Sequence, residues 1–368
     1  MVDLNGQYLK IKPAIDQAIQ NVIDESAFIN GKHVKIFEES LQNFLEVENV
    51  IACANGTDAL QLALMALELK AGDEVILPAF TFVSPAETVA LLNFTPVFAD
   101  VDDKTFNINA ETIKSLITSK TKAIIVVHLF GQCADMLPIM QLAQQHNLFV
   151  IEDVAQSLGA KYKIQTAQYA GTIGHIGCTS FFPTKNLACF GDGGAVMTND
   201  PLLAKKIKKL ASHGQPKKYE YEIVGINSRL DALQAAILSV KLGELEKYLL
   251  ARKKAAAFYT KKIDHINWIR IPSYVSEEHH TFNQYTIVVD EKIDREALIA
   301  YLKEKDIPTM VYYQNLVQDQ PAYQKYATQN LPISAKLAKC VLSLPMHTEL
   351  DEEQQEYITK MLAAYKNE

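Results

Sequence analysis

An α/β fold, with a mostly parallel sheet in a large domain and a smaller α+β C-terminal domain, is predicted by three observations. Short apolar runs rich in Val and Ile recur from about residue 50. Helix-period segments separate them, as expected of parallel strands covered on both faces. The rhythm changes in the last third, where a strand, a helix and a Pro-punctuated tail follow one long helical pattern. At 368 residues the chain suits two unequal lobes. The large domain, with an N-terminal segment, is expected over 1–250 and the small one over 251–368.

The expected strands are 50–53, 75–77, 96–98, 123–127 and 148–151, with helices at 58–69, 85–92, 110–117 and 136–146 between them. Two further strands, 178–182 and 195–198, flank a glycine-rich loop. Helix 201–211, a polar stretch at 213–221 and one long helix over 228–259 come next. Strand 282–289 and helix 294–305 belong to the smaller lobe. Gly171-Thr172-Ile173-Gly174 is read as a turn, because its spacing is not that of a dinucleotide loop. His279 and His280 have no acidic or thiol partner at ligand spacing and are expected in a polar loop. No metal is expected.

The formal net charge of -7 argues against a nucleic-acid surface, which needs a basic stripe. Lys205, Lys206, Lys208 and Lys209 alternate with Ile207 and Leu210, so they form the solvated face of a helix. The five cysteines include no CxxC pair, which fits reduced thiols better than zinc or disulfides. No apolar run approaches the roughly 20 residues that cross a bilayer. A soluble cytoplasmic protein without membrane or nucleic-acid partners is the expectation.

In open α/β sheets ligands bind beyond the carboxyl ends of the strands, and four segments fall there. Ala54-Asn55-Gly56-Thr57-Asp58 takes a strand into a helix, with Thr57 and Asp58 read as caps. Free N–H groups there form a phosphate cradle, or simply an ordinary helix start. Asp153 ends the strongest buried strand, with Gln156 three residues on. Such an acid can bind a metal, orient a His or pair with a protonated heterocycle. Lys185, in Ser180-Phe181-Phe182-Pro183-Thr184-Lys185, lies between an apolar strand and the turn Gly191-Asp192-Gly193-Gly194. Desolvation there would free its amine for a Schiff base. A Schiff-base Lys with an Asp for a pyridinium nitrogen is the pairing that pyridoxal phosphate needs. Gly225-Ile226-Asn227-Ser228-Arg229 opens the long helix, either as a charged first turn or as part of a site.

Together the SFFPTKNL, GDGGA and GINSRLD runs resemble the sugar aminotransferases of the DegT/DnrJ/EryC1/StrS family, within the fold-type-I pyridoxal-phosphate enzymes. The likeness extends from Asp3-Leu4 to Met346-His347. It implies that Lys185 carries the cofactor and shuttles the proton, while Asp153 pairs with the pyridine nitrogen and Gln156 with the phenolic oxygen. Gly56, Thr57 and Ser180 would hold the phosphate, and Phe82 would stack on the ring unless it is a core aromatic. Asn227 would reach the phosphate, and Arg229 the substrate, from the second subunit of a homodimer with shared active sites. L-glutamate is the amino donor that the resemblance implies. A dehydratase branch carries histidine in place of Lys185, and an iron–sulfur branch needs ligands that the scattered cysteines do not supply. A catalytically inactive regulatory protein of the same fold is the reading from another class; intact Lys185, Asp153 and Gln156 oppose it.

The stretches CTSFFPTKNL, HGQ at His213–Gln215, VGINSRLDALQAAIL and NQYTIVV resemble those of enzymes acting on UDP-2-acetamido-2-deoxy-3-keto-glucuronate, which implies that sugar, destined for cell-surface polysaccharide such as lipopolysaccharide. The alternative is a 3- or 4-keto-6-deoxy sugar on dTDP or UDP. Tyr312 and Tyr313 are expected to touch substrate, at a place where the glucuronate group presents His-Tyr.

Overall fold

In the computed structural model, residues 1–163, 167–274 and 279–365 are described. The first fifty residues form two helices that the apolar-run pattern did not predict, α1 (Leu4–Glu25) and α2 (Lys32–Leu45). Helix α2 buries Val34, Phe37, Leu41 and Leu45 along one stripe, the spacing of a core-facing helix.

Seven strands form the main sheet: β1 (Asn49–Cys53), β2 (Glu74–Pro78), β3 (Thr95–Ala99), β4 (Thr121–Val127), β5 (Phe149–Asp153), β8 (Ile176–Ser180) and β9 (Gly194–Thr198). A two-stranded ribbon, β6 (Lys161–Lys163) and β7 (Ala167–Tyr169), lies between β5 and β8 in the chain. The order is β1-β9-β8-β5-β4-β2-β3, and only β9 runs antiparallel to its neighbours. The sheet is therefore mostly parallel, as expected. Ala123, Ile124, Ile125 and Val126 are fully buried, so both faces of β4 are covered. Glu38 of α2 accepts from the Ala52 N–H at 2.9 Å and occupies part of the outer edge of β1.

The crossover helices are α3 (Gly56–Ala66), α4 (Ser84–Leu91), α5 (Ala110–Lys114) and α6 (Met136–His146), followed by α7 (Pro201–Ala211). Between α7 and the next helix an arm leaves the body. A Cβ on Gly214, at φ +75°, would fall 1.7 Å from the Ile223 carbonyl oxygen, so the arm's neck admits only glycine there. Its far end exposes Tyr219 and Tyr221.

The long helix expected over 228–259 is two helices, α8 (Ala232–Leu242) and α9 (Leu245–Ile263). Gly243 and Glu244 separate them, both with backbone angles in the right-handed helical region. Residues 228–231 precede α8, with Asp231 extended at its N-cap. Helix α9 gives Leu245 and Leu249 to one core and Ala255, Tyr259 and Ile263 to another, so residue 250 lies inside a continuous helix. The second core covers an antiparallel sheet of β10 (Ile269–Arg270), β11 (Tyr285–Val289) and β12 (Val341–Leu344). Helices α10 (Arg295–Glu304), α11 (Pro332–Cys340) and α12 (Glu352–Ala364) complete the chain.

His280 departs from the polar loop expected of it. It is buried, accepts from the Phe282 N–H at 2.8 Å and stacks on that ring at 4.0 Å. Burial, then Lys253, pushes its pKa down to about 3, so it is a neutral packing residue. No described helix is long and apolar enough to cross a membrane.

Candidate active site

Strand β5 runs two residues past its expected end and carries Asp153 into the sheet, paired with Val127 of β4 and Cys178 of β8. Its carboxylate is buried and accepts from the Ala155 N–H at 3.0 Å. Burial raises its pKa, against the Ala155 hydrogen bond and the charges of Lys185 and His128. Lys185 is half-buried in the turn after β8, where its own N–H donates to Phe182 O at 2.9 Å. Burial lowers the proton affinity of its amine, while Asp153 opposes that shift. Desolvation thus pushes both groups toward their neutral forms, and their mutual attraction offsets it only in part.

The Lys185 loop is held from outside by Gln234 of α8, which accepts from the Phe190 N–H at 2.8 Å and donates to its carbonyl at 3.1 Å. Gln156, also buried, is held at both ends of its amide. Its oxygen accepts from the Phe130 N–H at 2.8 Å, and its nitrogen donates to the Tyr313 hydroxyl at 3.0 Å.

Gly56 and Ser180 face each other. A Cβ on Gly56 would lie 2.6 Å from Ser180 Cβ, so the start of α3 can approach β8 only through glycine. The helix cap is Asn55, not Thr57 or Asp58; its side chain accepts from the Asp58 N–H at 2.8 Å. The helix's own ladder leaves the Gly56 and Thr57 N–H groups without acceptors. Thr57 shares a hydrogen bond with Ser84 at 2.7 Å, and the Ser228 hydroxyl accepts from the Ala54 N–H at 3.1 Å. Neither Ser84 nor Ser228 was among the expected site residues, although Ser228 belongs to the GINSRLD run.

Phe82 is 56% exposed, which excludes a core aromatic, and its ring lies 6.4 Å from that of Tyr313. Tyr312 packs beside Tyr313 at 5.7 Å. Thr81, Phe82, Tyr313, Asn315 and Gln320 line one cavity of about 320 Å³, whose lining carries no charged side chain. Asn227 and Arg229 are not brought to it. Asn227 is exposed, and Arg229 lines a separate groove of about 690 Å³ between α2 and α7. No described residue bonds the Arg229 guanidinium.

A helix start with free N–H groups, a buried acid, a donating amide and a lysine amine of lowered basicity therefore lie around the ends of β5 and β8. That donor set fits pyridoxal phosphate: an anion at a helix start, a protonated ring nitrogen beside Asp153 and an aldehyde beside Lys185. The site defines a pyridoxal-phosphate enzyme. Residues 9–363 match the DegT/DnrJ/EryC1/StrS aminotransferase family, and the chain belongs to it.

A pleiotropic regulatory protein of Geobacillus stearothermophilus is 43% identical, covering 99% of this chain and 98% of its own. The UDP-2-acetamido-2-deoxy-3-oxo-D-glucuronate aminotransferase of Pseudomonas aeruginosa is 44% identical over 95% of each chain. The solved structure of NtdA from Bacillus subtilis with bound cofactor PMP superposes with a TM-score of 0.89 at 33% identity, covering 96% of this chain and 81% of that one. This chain is a pyridoxal-phosphate-dependent sugar aminotransferase, which sets aside the inactive regulatory protein.

Proposed function

We propose that this enzyme moves the amino group of L-glutamate to UDP-2-acetamido-2-deoxy-3-keto-glucuronate, as a cytoplasmic homodimer supplying cell-surface polysaccharide synthesis. The observation that carries the chemistry is the juxtaposition of Lys185 with buried Asp153 beside the Gly56–Ser180 cradle. The 44% identical glucuronate aminotransferase supports the choice of sugar.

When bound, pyridoxal phosphate supplies an electron sink for the carbon that loses or gains the amine. Lys185 would hold the cofactor covalently through Nζ, and its amine would take and return the proton at the substrate carbon. Asp153 would keep the ring nitrogen protonated, and Gln156 would donate to the phenolic oxygen. Gly56, Thr57 and Ser180 would hold the phosphate, and Phe82 would pack against the ring. Tyr312 faces the sugar. Arg229 and Asn227 serve the partner's site, a reading supported by the exposure of Asn227, by the place of Arg229 in the groove between α2 and α7, and by the lack of a bond to its guanidinium among the described residues. The glutamate and sugar half-reactions use the same groups in mirror order.

A second reading, a 3- or 4-keto-6-deoxy sugar on dTDP or UDP, is favoured by the uncharged lining around Phe82 and Tyr313. Borohydride treatment with peptide mapping should tag Lys185; a tag elsewhere, or none, sinks the proposed role of Lys185. Incubation with glutamate and a panel of nucleotide keto-sugars, with mass and NMR analysis, then separates the sugars. Amination of the keto-6-deoxy sugars with the glucuronate left untouched selects the second reading.

A further inference from the structure

We propose that Tyr313 is a positioning residue for the cofactor and not a substrate ligand: its hydroxyl and the Phe130 N–H grip opposite ends of the Gln156 amide and fix which end faces the ring. The inference rests on the proposed role of Gln156 at the phenolic oxygen. A backbone N–H can only donate, so the amide oxygen must face Phe130, at 2.8 Å. The NH2 end is thereby turned toward Tyr313, at 3.0 Å, and against a donor the phenol must accept. One N–H is used by Tyr313, and the second is left for the cofactor.

Both holders are themselves fixed. Phe130, at φ 60°, sits in a loop tied to Thr281, whose N–H donates to Gly131 O at 2.9 Å. The Tyr313 ring packs edge-on to Phe80 at 6.2 Å, and four residues on Val317 N–H donates to Ala79 O at 3.2 Å. Gln156 is only 6% exposed, so bulk water does not replace a lost acceptor. Removing the hydroxyl would leave the amide held at one end and free to swing about its last torsion, which has broad rotational preferences.

Tyr313→Phe keeps the ring packing and removes only the acceptor. A donor aimed at the phenolic oxygen favours its anionic form, so losing that aim should raise the pH midpoint of the holoenzyme's visible band by about half a unit or more. Cofactor affinity should weaken roughly three- to tenfold, the range expected of one hydrogen bond. The glutamate half-reaction should slow with it, while KM for the nucleotide sugar stays within about twofold, since no contact to the sugar is removed. In a Gln156→Ala background the same substitution should add nothing further. An unchanged midpoint and affinity with a raised sugar KM would make Tyr313 a substrate ligand, and an undiminished effect in the Gln156→Ala background would show that it does not act through Gln156. Wild-type protein that gains no visible band with added cofactor would overturn the cofactor assignment itself, which is a different failure.

Discussion

Glu152 and Asp153 are neighbours on β5, yet the two sides of that strand end treat a buried carboxylate in opposite ways. Glu152 accepts from His128 Nε2 at 2.8 Å and from the N–H groups of Gly171, Ile173 and Gly174 at 3.0, 2.8 and 2.6 Å. Burial opposes its ionisation, but His128 and these donors win and hold its pKa below the usual range. The His128 ring is pinned as the Nε2–H tautomer, because Nδ1 accepts from the Ala134 N–H at 2.9 Å. Asp153 has one N–H donor among the described residues, and there burial wins and raises the pKa. The side that faces the protein is satisfied. The Asp153 side is left short of donors, and in the proposed role the cofactor's ring nitrogen would supply the missing one.

The comparison can be broken most strongly at Glu152. Glu152→Ala would leave His128 and three N–H groups unpaired and should cost about 3–5 kcal/mol in urea unfolding. An unchanged midpoint would mean that the network contributes nothing. Because its folded pKa is depressed, Glu152 stabilises the fold above its unfolded value of 4.5, and that contribution is lost as pH falls through the folded value. Glu152→Gln should therefore flatten the stability curve on the acid side.

Asp153→Asn should lower turnover about 10²–10³-fold with cofactor still bound, since it removes the charge opposite the ring nitrogen. Near-normal turnover would remove Asp153 from the mechanism. The sign for stability is reversed relative to Glu152. A raised folded pKa means that ionising Asp153 costs stability as pH climbs past 3.8. Cofactor-free Asp153→Asn protein should then melt higher than wild type at neutral pH, which calorimetry would show.

Arg229→Ala sharpens the contrast between pocket and groove. It should raise KM for the nucleotide sugar about tenfold, the loss expected of a charged contact, and leave the cofactor titration unmoved. Equal losses in both would misplace the residue. The smallest effect serves as a baseline far from either carboxylate. Gly243 has no φ in the left-handed region, and the nearest atom to an added Cβ is Val240 O at 3.4 Å. Gly243→Ala should stabilise by about 0.4–1 kcal/mol, and destabilisation would show that the α8–α9 break needs glycine.

The strands of the main sheet were legible because buried parallel strands leave near-continuous apolar runs. Asp153 and Lys185 were legible because polar residues at the ends of such runs stand out. Helices α1 and α2 were not, since the reading keyed on Val- and Ile-rich runs and both are mostly polar around a narrow stripe, with Pro13 inside α1. The α8–α9 break hung on one glycine in an otherwise unbroken helical pattern. His280 was misread because nothing local shows that a neighbouring Phe282 will stack on it. The Gln156–Tyr313 hydrogen bond joins residues 157 positions apart, and no sequence period connects them.

At the arm between α7 and α8, Gly214 and Gly225 crowd together so closely that a Cβ on Gly225 would meet Gly214 N at 2.2 Å. That constriction isolates everything beyond it mechanically. Insertions or new side chains around Tyr219 and Tyr221 are absorbed outside it. Side chains there can change while the strand ends that carry Asp153 and Ser180 stay undisturbed.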